Sequence, residues 1–361
     1  MEFKPDFQHL QPYYQAFWNC KVLDRIALSV TAPKQPESRS AFPWGEPGTV
    51  FSRETEEILD IFEDWARNTF FGGLAAPCFY PNSGPDVFSG FLGVNLNFSA
   101  ASPGTSWSSW QRKKLFTYED VEELVIRQEN PYYQKVMCLT RKAKERACGR
   151  YLVGITDLHG GFDALSVLRG GPQIACLDLL ENPEGVKKAM EKLFSVWKKI
   201  YDDYYAVIQN MQKGTCTWIG IYAPGKMYPV QNDFSCLVSP GMYREFFLPE
   251  LMEEINYLDY SIYHLDGVEA LPHLDILLDI PKLNAIQWVP GARYRNESIA
   301  IWLPLYRKIQ KKKKAIVVYP RPEEIPLVLK NLKPEGLLIS LSCSSEKQAR
   351  KVASSLGWDN G

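Results

Sequence analysis

Residues 261–267 hold a histidine and an aspartate two positions apart in an apolar run of β-forming side chains. Residues i and i+2 of a strand point to the same side, so His264 and Asp266 would face one cavity. Gly267 would then let the chain turn away sharply. An imidazole beside a carboxylate can transfer protons or bind a metal ion. The alternative is a buried histidine that a neighbouring carboxylate satisfies.

The composition argues against several classes of protein. The 361 residues suit one large domain or two ordinary ones, and 41 basic against 42 acidic side chains give a net charge of -1. This balance indicates neither a nucleic-acid partner nor a membrane partner, and no apolar run approaches the roughly 20 residues that cross a bilayer. Eight cysteines lack a C-x-x-C pair, and the N-terminus lacks the pattern of a signal peptide. We therefore expect a reduced, cytoplasmic protein.

Short β-forming runs alternate with helical sequence along the chain. Eight such runs begin near residues 26, 73, 151, 216, 260, 283, 315 and 336. This alternation predicts a parallel sheet, and the absence of a G-x-G-x-x-G turn after the first run favours a closed barrel over an open dinucleotide-binding sheet. We predict an α/β protein with one (β/α)8 TIM barrel domain over residues 1–361. A helical extension precedes the barrel, and a long insertion follows its second strand.

In such a barrel, functional side chains lie at the C-terminal ends of the strands. His264, Asp266 and Cys343 lie at the ends of two predicted strands and offer nitrogen, oxygen and sulfur ligands. We predict that they bind a catalytic zinc ion with one open position. Two alternatives stay open, since Cys343 could be a small buried apolar residue and Asp266 could cap the next helix.

Other candidates surround the same predicted rim. We predict that Asp233 and Tyr222 orient the substrate as catalytic residues. Further polar and aromatic side chains come from the long insertion and from strand ends, and we predict that they contact substrate: Asn82, Trp107, Gln287, Trp288 and Tyr319. For the aromatic residues of the insertion, packing beneath a loop is the alternative.

Four segments together resemble the uroporphyrinogen decarboxylase superfamily. They are residues 263–267 (Tyr-His-Leu-Asp-Gly), 286–291 (Ile-Gln-Trp-Val-Pro-Gly), 233–240 (Asp-Phe-Ser-Cys-Leu-Val-Ser-Pro) and 336–340 (Gly-Leu-Leu-Ile-Ser). The likeness extends from about Gly72 to the C-terminus. It implies a (β/α)8 barrel, in agreement with the strand count.

Two branches of that superfamily imply different chemistry. The decarboxylases hold a polycarboxylate tetrapyrrole with an arginine-rich segment, whereas residues 26–34 here contain no arginine. The cobamide-dependent methyltransferases bind zinc through His-x-Cys and a later Cys. His264 and Cys343 match the outer ligands of that pattern, and Asp266 stands where the middle cysteine would be.

The resemblance therefore implies a zinc-dependent methyltransferase that moves a methyl group between a small methylated substrate and a corrinoid carried by a partner protein. A carboxylate in place of a thiolate would make zinc harder and would suit an oxygen-linked methyl donor. One alternative is a metal-free decarboxylase (a carboxy-lyase) in which Asp233 or Asp266 stabilises a protonated ring. Another is a non-catalytic corrinoid or tetrapyrrole binder. A homodimer is compatible with each.

Overall fold

A computed structural model describes residues 1–35, 46–99, 102–108, 117–294 and 296–358. In these ranges the chain is a mixed α/β protein. The strands are β1 Ala27–Pro33, β2 Thr69–Gly73, β3 Cys78–Phe79, β4 Leu96–Ser99, β5 Ser102–Ser108, β6 Leu152–Val153, β7 Met227–Gln231, β8 Tyr260–Asp266, β9 Ala285–Val289, β10 Ala315–Val318 and β11 Leu337–Ser342.

Helices alternate with these strands. They are α1 Gln11–Trp18, α2 Pro47–Ser52, α3 Thr55–Arg67, α4 Val87–Phe91, α5 Pro131–Ala147, α6 Gly161–Arg169, α7 Pro172–Glu181, α8 Pro183–Gln212, α9 Pro240–Met242, α10 Leu248–Tyr257, α11 Leu274–Leu278, α12 Leu303–Lys311, α13 Ile325–Asn331 and α14 Glu346–Ser355. None of the helices in the described ranges combines the length and the apolar composition that a membrane crossing requires.

Seven strands form the main sheet, in the order β2-β1-β11-β10-β9-β8-β7. All neighbours in this sheet are parallel except β1 and β2, which are antiparallel. Strands β3 and β6 form a separate parallel pair, and β4 and β5 form an antiparallel pair. The parallel direction gathers the C-terminal ends of six strands at one edge, where the functional residues of α/β proteins lie.

The predicted α/β class is confirmed, but the described strands do not close into a hydrogen-bonded ring. In the part of the chain that the structure describes, the β3–β6 pair is joined by no strand ladder to either end of the main sheet. Between β6 and β7, residues 215–223 contribute one isolated bridge, Thr215 to Ala223, and a hydrogen bond from the Ile155 N–H to the Cys216 carbonyl. A turn thus stands where a strand starting near residue 216 was expected.

The sequence prediction also misses β7 of the main sheet, which begins eleven residues after the strand expected near residue 216. Its register places Pro229 opposite Ile262 of β8. Proline cannot donate to a sheet ladder and is therefore confined to edges, so Pro229 weakens the strand signal of this run. The strand tolerates Pro229 because β7 is the edge of the main sheet.

The longest helix shows why local sequence prediction succeeded elsewhere. In α8, Asn182 accepts a hydrogen bond from the Gly185 N–H and Pro183 occupies the first turn, so the start is doubly specified. Apolar residues at spacings of three and four, such as Leu193, Trp197 and Ile200, are buried. These two signals predict a helix from residue 182 to about residue 212, and the structure confirms it.

The structure contains a disulfide between Cys78 and Cys216, which are 138 residues apart. We had expected reduced cysteines. The spacing of cysteines along the chain could not show this pairing, because it depends on β3 and the 215–223 segment lying on either side of β6.

Gly73 offers a test of the β1–β2 packing. It has φ +59, and a Cβ there would overlap the Leu28 carbonyl oxygen. Gly73→Ala should lower the denaturant midpoint more than Gly149→Ala, because Gly149 has φ +81 but no neighbouring atom within 4 Å. In both variants we expect the strain of a positive φ to lower the free energy of unfolding by about 1 to 2 kcal/mol. Only Gly73→Ala should lose further free energy, because of the overlap with Leu28. Equal midpoints in chemical unfolding would contradict this packing.

Candidate functional site

A hydrogen-bonded chain of three side chains crosses the C-terminal ends of β8, β9 and β10. His264 Nδ1 lies 2.7 Å from Gln287 Oε1, and Gln287 Nε2 donates to the Tyr319 hydroxyl at 2.5 Å. His264 and Gln287 are direct cross-strand partners. If the amide oxygen accepts from Nδ1, a neutral His264 keeps its lone pair on Nε2. Parallel pairing therefore holds a base in a fixed orientation.

A second group lies after β6 and β7. His159 Nε2 lies 2.8 Å from an Asp163 oxygen and 3.8 Å from an Asp233 oxygen. Asp163 also accepts the backbone N–H groups of Asp233 and Phe234 at 2.9 and 2.7 Å. One carboxylate thus joins the start of α6 to the turn after β7, and we call His159, Asp163 and Asp233 the acid–histidine cluster.

Burial and charge oppose each other in this cluster. Burial by itself would lower the pKa of His159, but Asp163 and Asp233 hold its proton and raise the pKa to about 10. The Asp233 side chain keeps 46% of its surface exposed, but partial desolvation by the surrounding protein raises the pKa of its carboxyl, and the neighbouring His159 only partly offsets this. The arrangement pairs a cationic imidazole with a carboxylate that takes up a proton more readily than it would in water, which is suited to proton transfer.

Two further carboxyl groups face the cluster. Burial raises the pKa of Asp157, whose carboxylate accepts a hydrogen bond from Tyr228 at 3.1 Å. Burial also raises the pKa of Asp86, a residue of the long insertion. The nearby charge of His159 acts in the opposite direction and offsets part of each increase in pKa. The insertion thus contributes an acid to the same region.

The hydrogen-bonded chain borders a cavity of about 540 Å³. We call it the first cavity. It lies between the ends of β1 and β11 and the turn after Cys216, and Cys78, Trp218 and Tyr319 are among its lining residues. The Trp218 ring meets the His264 ring edge-on, with centroids 5.0 Å apart. His264 therefore lies behind the wall of a space large enough for a small substrate.

The predicted zinc ligands do not form a ligand set in this structure. No group of three or more His, Cys, Asp or Glu side chains in the described ranges is placed to hold a metal ion. His264 bonds to Gln287, Asp266 is exposed, and Cys343 is buried after β11. Strand β11 lies three steps from β8, so Cys343 and His264 belong to strands that are not neighbours in the sheet. We therefore derive no step through zinc.

Among the predicted catalytic residues, Asp233 lies at the rim and Tyr222 does not. The Tyr222 hydroxyl donates to the Gln212 carbonyl at 2.9 Å, and its backbone carbonyl accepts from Trp18. The Trp18 carbonyl in turn accepts from Asn284, which precedes β9. Tyr222 is thus part of the core at the N-terminal ends of the strands.

The predicted substrate residues are spread over the rim. Tyr319 lines the first cavity and, with Trp288, a second cavity beside it. Asn82 is half-buried in the loop after β3, and its side chain accepts from the Gly84 N–H at 3.4 Å. Trp107 falls within β5, and its side chain lies outside the part of the structure that is described.

Sequence reasoning places His159 at the end of a predicted strand but gives it no role, and it does not select Asp163 or Asp86. The signal for the first two was present, since an i, i+4 His–Asp pair follows a predicted strand and spans the start of a helix. No comparable signal marks Asp86, because only the fold of the insertion brings it near β6. No protein-family model matches the chain, and no curated protein matches it significantly.

His159 should make a pH-dependent contribution to stability. Its folded pKa of about 10 lies above the usual value of 6.5, so the protonated imidazole stabilises the fold. That contribution is complete below about pH 6.5 and is lost as the pH rises through about 10. We expect His159→Gln to lower the free energy of unfolding by about 3 kcal/mol at pH 6 and by less at pH 10.

The measurement is chemical unfolding across this pH range, with the exposed His9 as a matched control in His9→Gln. A loss for His159→Gln that does not change with pH would show that the imidazole is neutral in the folded protein.

Proposed function

We propose that this protein is an enzyme that moves a methyl group between a small methylated substrate and a corrinoid carried by a partner protein, with its strands enclosing the site as a (β/α)8 barrel. The observation that carries the proposal is the arrangement of acid–base groups at one strand edge, where His264 adjoins the first cavity through Trp218. His264, Asp233 and His159 all lie after or at the ends of neighbouring strands. The likeness to cobamide-dependent methyltransferases supports the choice of reaction.

The charge at the rim favours methyl transfer over decarboxylation of a tetrapyrrole. Asp157, Asp163, Asp233 and Asp266 lie at or directly after the ends of β6, β7 and β8. Among the described residues that line the first cavity, Arg321 is the single cation, and Glu324 already binds it at 2.8 Å. A substrate with several carboxylates needs cationic partners. A neutral or cationic methylated compound suits this rim better.

The acid–histidine cluster would supply a proton to the leaving group. When a methyl group departs from oxygen or from a neutral amine, that atom keeps the bond pair and must gain a proton. The pKa of Asp233 is raised and its carboxyl oxygen stands 3.8 Å from His159 Nε2, so the two groups can pass a proton between them. This role needs no metal ligand.

The rim is open enough for a second protein to approach. Tyr319 keeps 44% of its surface exposed although its hydroxyl bonds to Gln287. A corrinoid on a partner could reach a substrate at this point from outside. While the corrinoid approaches, Gln287 would hold both Tyr319 and His264 in place.

The direct test uses free reduced cobalamin in place of the corrinoid partner and follows its visible spectrum while small methylated donors are supplied. Asp233→Asn should slow transfer from a methyl ether by about 100- to 10,000-fold, because an amide cannot donate the required proton. Asp60→Asn is the matched control, since Asp60 is exposed on α3. Transfer that is absent from the wild-type protein with every class of donor would overturn the proposed function.

Metal analysis tests the zinc prediction separately. The ligand geometry leads us to expect no stoichiometric zinc in purified protein and no loss of activity in a chelator. Stoichiometric zinc that disappears in both His264→Ala and Cys343→Ser would instead restore the ligand set that the sequence predicts.

A further inference from the structure

The second cavity, of about 590 Å³, lies between the ends of β8, β9 and β10 and the loop after β9. We call it the aromatic cavity. Five aromatic side chains line it: Trp288, Tyr294, Trp302, Tyr306 and Tyr319. It shares Tyr319 with the first cavity and so adjoins the hydrogen-bonded chain from His264.

Several rings meet at steep angles. Trp288 and Trp302 have centroids 5.1 Å apart and planes 65° apart, and Trp302 and Tyr294 lie 5.5 Å apart at 81°. Rings set in this way offer faces in more than one direction, which is how aromatic cages surround a cation. The Arg293 guanidinium lies 5.6 Å from the Tyr294 centroid, so this ring already attracts a cation.

The charges around the aromatic cavity are mostly negative. Among the described residues that line it, Asp266, Glu297 and Glu324 are acidic and Arg321 is basic. Glu324 binds Arg321 and accepts from Ser298, so the exposed Asp266 and Glu297 are the acidic lining groups that remain, with the exposed Arg293 held over the Tyr294 ring. Carboxylates beside aromatic faces favour a cationic ligand and disfavour an anionic one.

A buried donor provides an independent indication of a ligand. Trp288 is only 1% exposed, and its Nε1 has no hydrogen-bond partner in the described part of the chain. Buried indole N–H groups usually find an acceptor, because leaving one unpaired costs free energy. A ligand with an oxygen atom near its cationic group would satisfy Trp288.

We propose that the aromatic cavity binds a methylated ammonium compound that also carries a hydrogen-bond acceptor. Its role as the methyl donor rests on the proposed function, whereas its binding does not. In the transfer, the carbon–nitrogen bond breaks and nitrogen keeps the bond pair, so a quaternary ammonium ion becomes a neutral tertiary amine. The electron pair for the new bond to the methyl carbon comes from the reduced corrinoid of the partner. Neither product then requires a proton from Asp233.

Calorimetric titration with choline and with 3,3-dimethylbutan-1-ol tests the binding. The two compounds have the same shape and hydroxyl group, and only choline is charged. We expect choline to bind at least about 10-fold more tightly, because cation–π attraction and the two exposed carboxylates act only on the charge.

Variants locate the site. Trp302→Leu should weaken choline binding by about 5- to 30-fold, and Trp302→Phe should restore part of it, because phenylalanine keeps an aromatic face. The double variant Asp266→Asn, Glu297→Gln changes only exposed side chains and should also weaken binding. Trp65→Leu is the matched control and should leave choline binding unchanged, because Trp65 lines the first cavity.

Equal binding of choline and its neutral analogue, or no binding of either, would overturn this inference. So would a choline affinity that is unchanged in both the Trp302→Leu and the double variant. Choline binding with the expected variant pattern, but without methyl transfer to reduced cobalamin, would uphold the inference and overturn only the proposed function.

Discussion

The parallel ladder of β7, β8, β9 and β10 is the constraint on which the site depends. Its register places His264 beside Gln287. Because the strands are parallel, Asp233 and Tyr319 lie at the same edge, where β7 and β10 end. These residues are far apart in the chain, and backbone hydrogen bonds alone bring them to one edge. Any slip of one residue in β9 would turn Gln287 away and place Trp288 against His264.

Burying charge near this edge is costly, and the protein offsets the cost by pairing. His159 keeps its proton because Asp163 and Asp233 flank it. Helix α10 adds Glu254, whose pKa is raised to about 8 by burial. The fold therefore holds several acids that take up protons more readily than they would in water, together with one imidazole that releases its proton less readily. Such opposed shifts are typical of sites that transfer protons and uncommon in ordinary cores.

The two cavities differ in the groups that they place around a substrate. The first cavity adjoins His264 through Trp218, and the aromatic cavity presents rings and carboxylates around Trp302. Tyr319 belongs to both. A displacement of Tyr319 would therefore change the wall of the aromatic cavity. Through Gln287 it would also shift the hydrogen bond to His264. This coupling follows from hydrogen bonds that are only 2.5 and 2.7 Å long.

The sequence by itself determined the α/β class, the span of helices such as α8, and the strand that carries His264 and Asp266, because caps, apolar periodicity and the i, i+2 rule act over a few residues. Only the tertiary structure decided which distant groups meet. It separated Cys343 from His264 by two strands, moved the fourth predicted strand to β7, joined Cys78 to Cys216, and set Asp163 against His159 and the Asp233 backbone. These outcomes depend on strand order and register, which the local pattern of side chains does not encode.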